Sequence, residues 1–292
     1  MKDEVQARLS AAFGERVEIE SSQGAGGGCI NQAQVLTLRG GRRVFLKSNP
    51  HPPAGMFSTE ARGLELLGRA GEGPRVPKVI ALQEGDNPKF LILEFLEAEP
   101  PCEGFYRRFG RALAALHRVQ GETFGLDHDN FIGSTVQVNT PETDGLLFFR
   151  DHRLGFQQAL ARKNRLLPAA LDHRLDTLRD RLEDFLDLSP EPPSLIHGDL
   201  WSGNHFAGTG QAPVILDPAA HFGWREADLA MTELFGRLPQ DFYAAYQEAY
   251  PLPPGYEERK KIYNLYHLLN HLNLFGGSYL GSVESTVNHC IR

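Results

Sequence analysis

The sequence predicts an α+β protein of two lobes: a five-stranded antiparallel sheet with one helix, followed by a mainly helical second lobe. Three observations carry this. Residues 17–96 contain five short β-prone runs separated by glycines and turn residues, with one helical pattern inserted after the third. From Pro100-Pro101 onward the apolar spacing becomes helical. A chain of 292 residues, 41% hydrophobic and 23% charged, has the composition of a globular protein with a substantial core. The proline pair marks the boundary, giving lobes of residues 1–97 and 98–292.

An opening helix is set by Val5, Leu9 and Phe13 at helical spacing and stopped by Gly14. VEIE (17–20), AQVLTL (33–38) and RRVFLKS (42–48) read as strands. A glycine-rich segment separates the first two, and Gly40-Gly41 makes a hairpin turn between the others. A helix over about 56–70 carries Phe57, Leu64 and Leu67 on one stripe. VPKVIAL (76–82) and KFLILEFL (89–96) complete the sheet, with a turn at Asn87-Pro88. In the second lobe, Phe105, Phe109, Ala112, Leu113 and Leu116 form one apolar helix face. Leu171, Leu175, Leu178, Leu182 and Phe185 form another, whose charged opposite side is a solvated face. SLIHGDL (194–200), NHFAG (204–208) and PVILD (213–217) make a strand, a loop and a hairpin, and helices over 227–236, 240–249, 257–275 and 279–290 close the chain.

Charge and cysteine usage exclude several classes. The net charge is −7 and there is no Lys/Arg tract, so nucleic acid is not an expected partner. The N-terminus is acidic where a signal peptide needs apolar residues. The most apolar run, residues 90–96, is far too short for a membrane span and contains Glu94. Cys29, Cys102 and Cys290 are too few and too scattered for a disulfide framework or a zinc cage. The expectation is a cytoplasmic protein without membrane association.

The strongest chemical signal is HGDLWSGN (197–204) followed by Asp217 at the end of an apolar strand. Phosphoryl transfer needs little covalent help and much electrostatic placement. One carboxylate must accept the proton of the attacking hydroxyl, and an amide oxygen with a second carboxylate must hold Mg²⁺ against the phosphates. The spacing Asp199-x-x-x-x-Asn204 is that of a kinase catalytic loop, and the hairpin brings Asp217 back to the same cleft. Turn or capping duty would explain any one of these residues, but not an acid directly after PVIL, where an unpaired carboxylate is costly. His197 reads as a structural brace.

The first lobe then supplies the ATP clamp. Gly26, Gly27 and Gly28 let main-chain N–H groups approach phosphates, although Cys29 breaks the G-x-G-x-x-G pattern. There is no Walker motif. Lys47, ending VFLK, fits a phosphate-contacting lysine; Glu60 is its expected ion-pair partner, with Glu65 the rival. Glu94, Phe95 and Leu96 would form the inter-lobe hinge, with the Glu94 and Leu96 backbone facing adenine.

With these residues in place, the chain resembles the fructosamine kinase (ketosamine kinase) family, whose fold is similar to aminoglycoside phosphotransferases and protein kinases. The resemblance rests on GGGCIN (26–31), VFLKSN (44–49), LILEFLE (91–97), FGLDHDNFIG (124–133), Gln137 and Asn139, FFRDHRL (148–154), HGDLWSGN, ILDPAAHFGWREADLAM (215–231) and LLNHLNLFGGSYLG (268–281). It implies ATP and Mg²⁺ as cofactors, Asp199 as proton acceptor, Asn204 and Asp217 on magnesium, and a Lys47–Glu60 pair on the ATP side. It also implies a ketosamine substrate phosphorylated on a sugar hydroxyl, after which the adduct decomposes and the amine is repaired. Trp201 would stack on the sugar or its ammonium, or else wedge its own loop. Asp228 would brace the catalytic loop. In some family members the phosphate-loop cysteine is redox-sensitive. Here Cys29 reads as a small residue tolerated in a hairpin of a monomer, with an oxidant-linked dimer as the alternative. Two rival readings are the same fold acting on an aminoglycoside or choline-like hydroxyl, and a nucleotide-binding pseudokinase.

Overall fold

The computed structural model of the chain describes residues 1–26, 30–85, 89–186 and 191–291. Helix α1 (Lys2–Phe13) ends at Gly14 in the left-handed conformation. Strands β1 (Ile19–Gly24), β2 (Gln32–Leu38) and β3 (Arg43–Asn49) are followed by α2 (Met56–Leu67), then β4 (Val79–Gln83) and β5 (Lys89–Glu94). They form one antiparallel sheet in the order β1-β2-β3-β5-β4. Gly40 and Gly41 both take positive φ, as the two-residue hairpin between β2 and β3 requires. β4 starts at Val79, later than the apolar run, because Pro77 has no N–H to give a ladder. The expected Asn87-Pro88 turn lies outside the described residues.

The unbroken apolar run of β5 follows from cover on both faces. Phe90 and Ile92 join Val44 and Leu46 against Val5 and Leu9 of α1. Leu91 and Leu93 pack on Phe57, Ala61 and Leu64 of α2. Side chains alternate along a strand, so with Val44 and Leu46 facing α1, Lys47 faces α2 and the cleft beneath it.

The second lobe opens with β6 (Ala98–Glu99) and α3 (Phe105–His117). A small hairpin, β7 (Asn130–Ile132) and β8 (Thr135–Gln137), precedes a continuous helical stretch: α4 (Gly145–Leu147), a π-helical segment (Phe148–Gly155) and α5 (Phe156–Lys163). Then come α6 (Ala169–Asp180), β9 (Ser194–Ile196), the hairpin β10 (His205–Gly208) and β11 (Pro213–Ile215), and β12 (His221–Gly223). Four helices close it: α7 (Glu226–Leu234), α8 (Gln240–Ala249), α9 (Tyr256–Phe275) and α10 (Leu280–Cys290). The β7–β8 hairpin, β12 and the 145–163 helix had no clear periodic signal. Gly145 lies against the Phe124 and Trp224 rings, leaving no room for a larger side chain there.

The lobes are joined by more than their covalent link. The segment before β4 meets β11 of the second lobe, with Arg75 N donating to Pro213 O and Ile215 N donating to Arg75 O. Leu67 and Ala70, at the far end of α2, belong to the same core as Phe105, Phe109, Leu195 and Phe242. Among the described residues no helix is long and apolar enough to cross a membrane.

Candidate active site

The site is built where β9 runs out. After Ile196 the chain turns at Gly198, whose φ is 82° and where an added Cβ would lie 2.2 Å from Ala219 O. Only glycine accepts both the left-handed backbone and that close approach. The turn is held from below by Asp228, which accepts the N–H groups of His197 (2.7 Å) and Gly198 (2.8 Å). His117 Nε2 lies 3.2 Å from the same carboxylate, and His117 Nδ1 is 2.8 Å from Tyr246 OH. These hydrogen bonds hold the buried Asp228 carboxyl below its usual range against the opposing effect of burial. The His197 ring spans to the hairpin, with Nε2 bonded to Leu216 O at 2.9 Å.

Asp199 therefore stands at the end of a rigid turn. Burial, and then the negative Asp228 nearby, push its carboxyl up to about 7, opposed by a hydrogen bond from Asn204. Asn204 Nδ2 donates to Asp199 O (2.8 Å) and Oδ2 (3.3 Å), so the amide orientation is set and Oδ1 faces elsewhere. Leu216 N donates to Asn204 O, and His205 pairs with Ile215, which puts Asn204 just before β10 and Asp217 just after β11 at the open end of one hairpin. Asp217 has φ 58°, a left-handed conformation that costs a non-glycine residue roughly 1–2 kcal/mol. Its carboxylate forms an ion pair with Lys47 Nζ.

Lys47 is only 6% exposed and also pairs with Glu60 Oε1 at 2.8 Å. Glu65, the rival partner, is on the exposed side of α2. The N-terminus of α2 is held by Glu84, whose carboxylate accepts the N–H groups of Gly55, Phe57 and Ser58. Lys47 thus ties Glu60 to Asp217 across the cleft, while Asn204 is tied to Asp199 and, through Leu216 N, to the residue before Asp217.

The remaining expected residues lie as follows. Glu94 donates its backbone N–H to Lys78 O (2.8 Å) and its carboxylate accepts from Arg75 (2.6 Å), so that amide is already committed within the sheet and is not free for a base. The Phe95 ring lies under the Arg43 guanidinium at 4.4 Å, and Leu96 is half-buried. Gly26 is exposed; Gly27, Gly28 and Cys29 lie outside the described residues. Asn49 Nδ2, at the end of β3, reaches Ile30 O and Asn31 Oδ1 just beyond them. The half-buried Trp201 ring folds over Gly203 of its own loop, where an added Cβ would come within 2.3 Å. Sequence reading did not assign a role to His117; its signal was a histidine on the apolar face of α3.

A magnesium ion takes few protein oxygens and completes its shell with water and phosphate. Asn204 and Asp217 suit that demand, since Asn204 spends its nitrogen on Asp199 and keeps its oxygen for a ligand. No group of three His, Cys, Asp or Glu side chains converges elsewhere among the described residues.

The chain is similar to several known proteins. A Synechocystis protein named a probable ketoamine kinase is 42% identical over 290 residues, covering 98% of this chain and 95% of that protein. A rice (Oryza sativa subsp. indica) protein-ribulosamine 3-kinase, named as chloroplastic, is 38% identical over 96% of this chain and 81% of its own length. A Thermobifida fusca crystal structure titled as a fructosamine-3-kinase superposes with a TM-score of 0.88 at 33% identity, covering 99% of this chain and 98% of that one. An aminoglycoside phosphotransferase shares the fold alone, with a TM-score of 0.61 at 13% identity. The fructosamine kinase family model matches residues 1–292, and the chain belongs to the fructosamine kinase family.

Proposed function

We propose that this protein is an ATP-dependent kinase that phosphorylates a sugar hydroxyl of ketosamines, the ribulosamine and fructosamine adducts of amines. The observation that carries the reading is the set Lys47, Glu60 and Asp217, ion-paired across the two lobes, beside Asn204 and Asp199 at the foot of the same hairpin. In this reading residues 1–97 clamp the nucleotide, with Gly26–Cys29 around the phosphates and Glu94–Leu96 at the hinge. Lys47, aimed by Glu60, contacts the α- and β-phosphates. Residues 98–292 carry the chemistry and the acceptor.

Asp199 accepts the proton of the attacking hydroxyl as its oxygen bonds to the γ-phosphorus and ADP leaves. A carboxyl pushed up to about 7 suits that task, because it is a stronger base than an exposed aspartate while still ionised in part near neutrality. Asn204 Oδ1 and Asp217 would hold Mg²⁺, which when bound neutralises charge building on the phosphates. Trp201 borders the acceptor side of the loop, where an indole offers a stacking face. The phosphorylated adduct then decomposes and frees the amine, a deglycation repair in a cytoplasmic compartment. The two described cysteines, Cys102 and Cys290, are free thiols, in keeping with a reducing environment.

The test is ADP release on ribulosamine, erythrulosamine and fructosamine derivatives at fixed Mg-ATP. Turnover is expected on at least one, with kcat for Asp199→Asn lower by about 10²–10⁴-fold. Turnover only on an aminoglycoside or choline-like alcohol, or none at all, rejects the reading.

A further inference from the structure

One buried polar cluster has no part in the chemistry above. Asn130 on β7 and Gln137 on β8 face each other in register, and both are buried. Gln137 Nε2 donates to Asn130 Oδ1 (2.8 Å) and to Ala219 O (2.9 Å), while Asn130 Nδ2 donates to Ala220 O (2.8 Å). From α9, Tyr266 OH donates to Gln137 Oε1 at 2.8 Å. His221 Nδ1 lies 3.0 Å from Ala219 O as well.

Ala219 and Ala220 follow Asp217 by two and three residues, separated from it by Pro218. A non-glycine residue stays left-handed only where its surroundings over-determine it. Upstream, Leu216 is fixed through its N–H to Asn204 O and through its carbonyl to His197 Nε2. Downstream, Ala219 N donates to His197 O, and the next contacts are the hairpin amides on the carbonyls of Ala219 and Ala220. With both flanks pinned, Asp217 has little freedom to turn its carboxylate away from the cleft.

We propose that Gln137 and Asn130 are positioning residues for Asp217: the β7–β8 hairpin holds the carbonyls behind it so that its carboxylate is aimed at the divalent cation. This rests on the reading of Asp217 as a metal ligand. Groups that orient a ligand from behind commonly set metal affinity by 10–100-fold, and a buried amide network loses its effect when one member is left unpaired.

The test is Mn²⁺ binding to the enzyme–ADP complex, read from the free-ion electron paramagnetic resonance signal, beside ADP affinity measured with a chelator present. Gln137→Leu is expected to weaken Mn²⁺ about tenfold or more while metal-free ADP affinity stays within about twofold. Tyr266→Phe, which keeps the ring and removes one hydrogen bond, is expected to weaken Mn²⁺ about three- to fivefold and carries the test if Gln137→Leu does not fold. Unchanged Mn²⁺ affinity in these variants, with Asp217→Asn weakened, overturns the proposal. So does metal-free ADP affinity that falls in step with it, since that marks general damage to the fold. Asp217→Asn with unchanged Mn²⁺ affinity instead overturns the metal assignment beneath it.

Discussion

Asp199 couples base strength to fold stability with opposite signs. Burial and Asp228 raise its carboxyl from 3.8 to about 7, so the folded protein binds this proton more tightly than the unfolded chain does. Asp199 therefore costs no charge burial below pH 4, where it is protonated in both states. From about pH 4 upward the unfolded chain releases this proton while the folded protein holds it, so stability falls until about pH 7 and levels off above. In the proposed function the same ionisation supplies the base. Activity as kcat/KM is expected to rise with an acidic limb near pH 7, not near 4. Asp199→Asn is expected to raise Tm by about 2 °C at pH 8.5, corresponding to about 1 kcal/mol, and by little at pH 4. A Tm gain equal at both pH values, measured by calorimetry, would remove the burial of charge as its cause.

At the scale of elements, α2 matters most because it touches both halves of the site. Glu60 sits on it, and one turn later Gly63 lies against the segment after Asp217, where an added Cβ would meet Pro218 Cγ at 3.4 Å and Ala220 Cβ at 3.6 Å. A methyl fits that gap; a branched side chain does not. Gly63→Ala is expected to be neutral or to stabilise by up to about 1 kcal/mol, through helix propensity. Gly63→Leu is expected to push α2 outward, part Glu60 from Lys47 and lower kcat by at least tenfold, or about 1.4 kcal/mol in the barrier. Urea unfolding and ADP release measured on both variants check this, and an active Gly63→Leu would show that α2 tolerates displacement. Sequence periodicity located α2 and β3 well, because their apolar stripes are long and regular. It missed the β7–β8 hairpin and the π-helical segment, because what is buried there is polar: Asn130, Gln137 and the fully buried Arg153 bond to side chains and backbone carbonyls that apolar periodicity does not register.

Across the whole molecule, the lobes are stitched by the Arg75 contacts with β11 and by Leu67 and Ala70 entering the second lobe's core. A nucleotide gripped between them should stabilise the molecule as one unit. Mg-ADP at about 100 times its Kd adds about 2.7 kcal/mol, which for a chain of this size is a rise in Tm of roughly 4–5 °C. The expected calorimetric trace is a single transition that moves as a whole. Two transitions, with only one shifted by Mg-ADP, would mean that the lobes unfold separately.

By itself the sequence determined the family, the two-lobed α+β architecture and the residues of the HGDLWSGN loop, because those follow from local spacing and from side chains with few other uses. It named Lys47 and favoured Glu60 over Glu65, but it gave neither the Lys47–Asp217 ion pair nor the left-handed backbone of Asp217. Those were decided only when β3, α2 and the β10–β11 hairpin packed together, because an ion pair and a strained residue depend on neighbours that sequence distance does not reveal. The Glu94 amide shows the same limit, since its commitment to Lys78 O depends on which strand edge lies beside it.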